Sequence, residues 1–124
     1  MSMDDLPDRE ERAAGCSTEL VGDDVLVYRL TGDLDMGARE ALAFDVPLDA
    51  LRAVVVDLAD VTFFDSTALN ALLRLRAAAI ERQVTVHLAA PPANTARVLE
   101  ITDAALLFPR HPSLASALKT LAAD

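Results

Sequence analysis

Tryptophan is absent from this 124-residue chain, aromatic side chains make up only 4% of it, and there is one cysteine. The core must therefore be built from Leu, Val and Ala, and the chain has no row of aromatic faces on which bases could stack. Cys16 can close no intrachain disulfide and has no Cys or His close by in its polar N-terminal stretch, which fits a reducing, cytoplasmic location. Basic residues are scarce: 11 Lys and Arg stand against 20 Asp and Glu, for a net charge of −9. Such a surface repels phosphate backbones and anionic headgroups, so no direct nucleic-acid partner is expected. No apolar run approaches the roughly 20 residues that a membrane-spanning helix needs, and the acidic N-terminus lacks the basic-then-apolar order of a signal peptide. No membrane insertion is expected. The four glycines form neither a G-x-G-x-x-G turn nor a phosphate-binding G-x-x-x-x-G-K-[ST] loop.

Against these absences stand 52% apolar residues, enough for one compact domain without disulfide or metal. Residues 1–16 are charged and aperiodic and are expected to form a disordered acidic leader, with a single domain over 17–124. Within 18–30, two apolar runs flank Gly22-Asp23-Asp24, which predicts a β-hairpin. Thr31-Gly32-Asp33-Leu34-Asp35 then bends the chain. A short helix is expected over 36–44, because Pro47 opposes its continuation. Val54, Val55 and Val56 do not alternate with polar residues, so 53–58 reads as a central strand covered on both faces. Leu69, Leu72, Leu73 and Ile80 recur at helical spacing over 66–83. A strand over 84–89, a helix over 93–101, an edge strand over 105–108 and a C-terminal helix over 113–122 complete the order. Alternating units of this kind demand an α/β fold, with a mostly parallel central sheet, an N-terminal hairpin and about four flanking helices.

The polar interruption between the central strand and the longest helix is Asp65-Ser66-Thr67. In open α/β sheets, binding sites collect beyond the carboxyl ends of parallel strands, and Asp65 and Ser66 fall there. Either side chain can cap the following helix by accepting a hydrogen bond from a first-turn amide. Capping does not exclude a second role for Ser66. A phosphoryl group at a helix N-terminus is held by free amides and the helix dipole. Its charge, beside Asp65 and near Asp33 and Asp35, would repel an acidic or apolar docking face and so act as a binding switch.

Gly32-Asp33-Leu34-Asp35 at the end of an early strand, followed by VVVDLADVTFFDSTALNALL over 54–73, resembles the STAS domain of bacterial anti-anti-sigma factors. The resemblance covers about residues 18–122. It implies a β-sheet flanked by helices, and a phosphoacceptor, Ser66, modified by a partner that is both anti-sigma factor and serine kinase. Asp33, Asp35, Asp65, Ser66, Thr67, Leu69 and Asn70 would form the partner-binding surface. The unphosphorylated form would bind the anti-sigma factor and release sigma, and a serine phosphatase would reset the switch. The resemblance implies no cofactor, no metal and no catalytic residue. Two departures stand out: Ala68 replaces a glycine common in relatives, and Pro47 shortens the first helix.

Two other readings keep part of this picture. A STAS module without a phospho-switch would serve as a scaffold, or as a soluble subunit of a transporter or signalling assembly. A hydrolase would need Ser66, Asp65 and His87 together, yet the serine lacks a G-x-S-x-G elbow and His87 alternates within a strand as a core-edge residue does. His87 and His111 are too few and too separated for zinc, and the many Asp residues read as a solvated acidic surface.

Overall fold

Val54, Val55 and Val56 have no exposed surface, because the strand that carries them lies at the centre of a five-stranded sheet and is covered on both faces. The computed structural model describes residues 12–123. Strands β1 (Gly15–Val21) and β2 (Val25–Leu34) form an antiparallel hairpin. Strand β3 (Ala53–Phe64), helix α1 (Ser66–Glu81), strand β4 (Thr85–Ala89), helix α2 (Ala93–Ile101), strand β5 (Arg110–His111) and helix α3 (Leu114–Ala122) follow. The sheet order is β1-β2-β3-β4-β5, and every pair after the hairpin is parallel. This is the α/β sheet with an N-terminal hairpin that the alternation of elements demands.

Successive strand residues face opposite sides of the sheet, and each side builds its own core. Leu26, Tyr28, Val54 and Val56 pack with Leu72 and Leu75 of α1 and Leu99 of α2. On the other side, Val27, Val55 and Ala89 pack with Ala117 and Leu121 of α3.

Four elements differ from the sequence expectation. Residues 36–44 are not an α-helix: a 3-10 turn, Met36–Ala38, runs into an irregular segment that lasts until β3. So short a helix is marginal, and a tertiary contact outbids it. Phe44 adopts φ 48° and sets its ring edge-on to Tyr28, with centroids 4.9 Å apart. The Val46 amide then donates to the Tyr28 hydroxyl at 3.1 Å. Burial raises the Tyr28 pKa above its ordinary value, the Val46 bond opposes this, and the charges of Cys16 and Asp45 add to the rise. Among the described residues there are three α-helices and two 3-10 turns in place of about four helices.

The central strand, expected to end at residue 58, continues to Phe64. Its pairing with β2 slips twice: Arg29 pairs with Asp57 but Thr31 with Asp60, and Gly32 with Val61 but Asp33 with Phe63. Each slip is a bulge that adds one residue to β3. The buried residues Leu58, Val61 and Phe64 are consequently spaced by three, which hides the strand from a search for alternation. At the far edge, 105–107 falls within a 3-10 turn, Ala104–Leu107, and Phe108 follows it in extended geometry. The edge strand forms a few residues later, where the carbonyls of Pro109 and His111 accept from the Leu88 and Ala90 amides at 2.9 Å each. Finally, β1 already starts at Gly15. The expected leader up to residue 11 lies outside the described residues.

Arg12 and Ala13 lie across Gly32, which has φ 81°, and a Cβ added there would stand 2.1 Å from the Ala13 carbonyl oxygen. Gly22 has φ 62° but faces open space. Gly22→Ala should therefore cost only the left-handed penalty of about 1–2 kcal/mol. Gly32→Ala should cost at least about 3 kcal/mol, because backbone must also be displaced. Urea midpoints of the two variants provide the comparison, and equal losses would show that residues 12 and 13 are not held against the hairpin.

Candidate functional site

β2 and β3 run parallel and end level with each other, Leu34 paired with Phe64. The next residue of each strand is an aspartate, so Asp35 and Asp65 leave the sheet as neighbours. Both adopt nearly the same extended geometry, φ −113° and ψ −161° for Asp35, φ −127° and ψ −166° for Asp65. Each turns its carboxylate back onto the amide two residues on: Asp35 Oδ1 accepts from Gly37 at 2.9 Å, and Asp65 Oδ1 from Thr67 at 2.8 Å. One starts a single 3-10 turn, the other a 16-residue helix. A cap that satisfies a first-turn amide and places a negative charge at the positive end of the helix dipole explains the choice of aspartate.

With Asp65 as the cap, Ser66 becomes the first helical residue and its side chain is exposed. Asp65 and Thr67 are half-buried, and Asn70 is exposed one turn along. Two of the residues expected at the partner surface are occupied elsewhere. The Asp33 carboxylate accepts from the Thr62 hydroxyl at 2.5 Å and from the Arg12 amide at 3.1 Å, while the Asp33 amide donates to the Arg12 carbonyl at 2.9 Å. It fastens β2 to β3 and to the residues before β1. Leu69 is buried in the core beneath α1, which leaves it supporting the helix from behind.

Two apolar residues beside the aspartates escaped the sequence reading. Met36 is 80% exposed and follows Asp35, and Phe63 is 46% exposed and lies one residue before Phe64, which turns inward. The signal was a large apolar side chain on each side of the capping positions, masked because both elements were read as other structure. Ala68 is fully buried in the first turn of α1. Its methyl group is part of the core there.

The triad reading fails on geometry. His87 pairs across the sheet with Val55, on the face covered by α3, whereas α1 packs on the opposite face. His87 Nδ1 instead lies 3.0 Å from His111 Nε2, with the two rings stacked at 5.2 Å. Among the described residues no group of three or more His, Cys, Asp or Glu could hold a metal ion, and no helix is long and apolar enough to cross a membrane.

Removing the cap tests the division of labour between Asp65 and Ser66. Asp65→Ala should cost about 1 kcal/mol, and Asp65→Asn clearly less, because the amide oxygen can still accept from Thr67. Ser66→Ala should lie within about 0.5 kcal/mol of the parent. Chemical denaturation reads all three, and a Ser66→Ala loss as large as that of Asp65→Ala would make Ser66 the cap.

A STAS-domain family model matches residues 20–117. A search of curated protein sequences finds no match. Among solved structures, the anti-sigma factor antagonist SpoIIAA in its unphosphorylated form superposes with a TM-score of 0.72 at 17% identity, covering 89% of this chain and 98% of that one. An anti-sigma factor antagonist from Mycobacterium paratuberculosis is 28% identical, with a TM-score of 0.70 over 87% of this chain and 93% of its own. A sulfate transporter family protein from Wolinella succinogenes is also similar, with a TM-score of 0.71 at 18% identity over 82% of this chain and 88% of its own. With the family model spanning most of the sequence and the aspartate-serine corner standing where the sheet delivers it, this chain belongs to the STAS-domain family.

Proposed function

We propose that this chain is an anti-sigma factor antagonist. Its unphosphorylated form binds an anti-sigma factor that is also a serine kinase, which frees the sigma factor, and phosphorylation of Ser66 switches that binding off. The observation that carries this reading is the exposed Ser66 at the first position of α1, next to the capping Asp65 and level with Asp35 on the neighbouring strand. Similarity to the mycobacterial antagonist supports it.

The physical logic is one of local charge. A phosphoryl group adds about −1.5 to −2 at neutral pH. Within the chain, the helix dipole and first-turn amides stabilise that charge, so the fold survives the modification. For a partner the same charge arrives in a corner that already holds two carboxylates, and a face that offered Met36 and Phe63 as apolar anchors becomes strongly anionic. Asp35, Asp65, Thr67 and Asn70 are the proposed docking contacts, with Asp33 and Leu69 fixing the scaffold behind them. A serine phosphatase would restore the binding form, and the setting would be the cytoplasm.

A second reading, a STAS module that acts as a scaffold or soluble transporter subunit without a switch, draws on the likeness to the sulfate transporter family protein and to the murine anion transporter Slc26a9. One set of measurements separates the two. Incubation with the cognate kinase and ATP should place a single phosphate on Ser66, and Ser66→Ala should abolish it. Ser66→Asp should weaken the complex about tenfold or more, the effect of one misplaced charge, without lowering the melting temperature appreciably. Undiminished phosphorylation of Ser66→Ala would sink the site assignment. Capture of transport components with binding indifferent to Ser66→Asp would favour the second reading.

A further inference from the structure

The segment that replaces the expected first helix leaves a groove open along α1. Its volume is about 740 Å³, inside the roughly 300–1,000 Å³ range of small-molecule sites. Leu42 and Leu75 are buried at its base, and Phe44, Val46 and Leu48 are half-buried along it. Ala78 on the α1 side is too short to fill the space. The loop wall is preformed, since Phe44 rests on the Tyr28 ring and the Val46 amide is held by the Tyr28 hydroxyl. Binding there would not have to order a loose segment first.

The two ends of the groove differ in charge. Arg39 opens the loop directly after the 3-10 turn, at the end of the sheet where α1 begins, and α1 contributes Arg74 from halfway along its length. Neither arginine has an ion-pair partner among the described residues. At the other end, Asp49 meets Arg82, the residue that caps the C-terminus of α1, and Glu81 lies beside it. The half of the groove between the start of α1 and its middle therefore offers two guanidinium groups without an ion-pair partner among the described residues, permanently charged and suited to a carboxylate. The remainder is apolar and closes on an end where the cation is already neutralised. A polyphosphate fits this pattern poorly, because its further charges would face Asp45 and Glu81, both of which border the groove.

We propose that this groove binds a small amphiphile with a single anionic head group, of which a medium-chain carboxylate is the simplest. The carboxylate sits between Arg39 and Arg74, and the chain lies along the floor made by Leu42, Leu75 and Ala78. The site adjoins the Ser66 corner, with which it shares Thr67 and Asn70, but it does not need the phospho-switch.

Decanoate titrated calorimetrically into the full chain should bind saturably at one site. Decanol, which has the chain without the charge, should bind at least about tenfold more weakly. Arg39→Gln combined with Arg74→Gln should lower decanoate affinity by a similar factor and bring the two probes together. Ala78→Trp, a substitution at an exposed helical position that fills the groove, should remove binding of both, with circular dichroism reporting that the fold is retained. No decanoate binding, equal binding of decanol, or unchanged binding to the arginine double variant would each overturn the proposal. So would a dimer in sedimentation that Ala78→Trp dissociates while decanoate has no effect, since the groove would then be filled by a second copy of the chain.

Discussion

β2 has ten residues and β3 has twelve, yet the two strands start level, Val25 with Ala53, and end level, Leu34 with Phe64. The two bulges in β3 absorb the difference. Strand residues advance by about 3.3 Å each, so without the bulges Asp65 would overshoot Asp35 by roughly 6–7 Å. The aspartates would then cap two unrelated turns at different heights. The form of the Ser66 corner follows from this matched ending: twin aspartate caps at one height, with the exposed Ser66 directly after one of them and the exposed Met36 directly after the other.

The same bulges explain which parts of the molecule were legible in its sequence. The Val54-Val55-Val56 run, the leucine spacing of α1 and the hairpin around Gly22 were readable because each repeats a simple period, and the structure places them as read. A cap from Asp65 or Ser66 was readable too, since capping chemistry is local, but only the structure assigns it to Asp65 and leaves Ser66 as the first helical residue. The end of β3 was not, because Leu58, Val61 and Phe64 fall three apart in a strand whose period is two. Residues 36–44 were misread for a different reason. Helix propensity in a short stretch is worth little against burial of one aromatic ring, and nothing in the local sequence reveals that Phe44 will find Tyr28. Asp33 shows a third limit: its acidic character was plain, but its ties to Thr62 and Arg12 depend on neighbours distant in the chain.

The irregular segment between β2 and β3 carries more than a connection. Phe44 and Ala50 both hold left-handed φ values, 48° and 68°, which cost energy for any residue with a Cβ. Tyr28 offsets part of that cost by its edge-on contact with Phe44 and its hydrogen bond to the Val46 amide from within the sheet. A helix in this place would have satisfied its own backbone and covered α1. The loop instead satisfies itself against the sheet and leaves the flank of α1 exposed to solvent. Thr67 and Asn70 then border both that flank and the first turn containing Ser66, so a single helix presents two surfaces of different chemistry.

The residues before β1 end on the same corner. Arg12 is held by Asp33 through both backbone and carboxylate, and Gly32 makes room for it. At the opposite pole, Arg52 donates to the Leu121 carbonyl at 2.8 Å and ties the close of α3 to the residue that enters β3. The two termini of the domain therefore emerge at different ends of the sheet. A reporter or affinity handle joined upstream of Arg12 would start beside Asp33, at the end of the sheet that carries Asp35 and Asp65, and would crowd an approach to that end. One joined after α3 would leave that approach clear, which makes the carboxyl terminus the side from which to tether this protein to a surface.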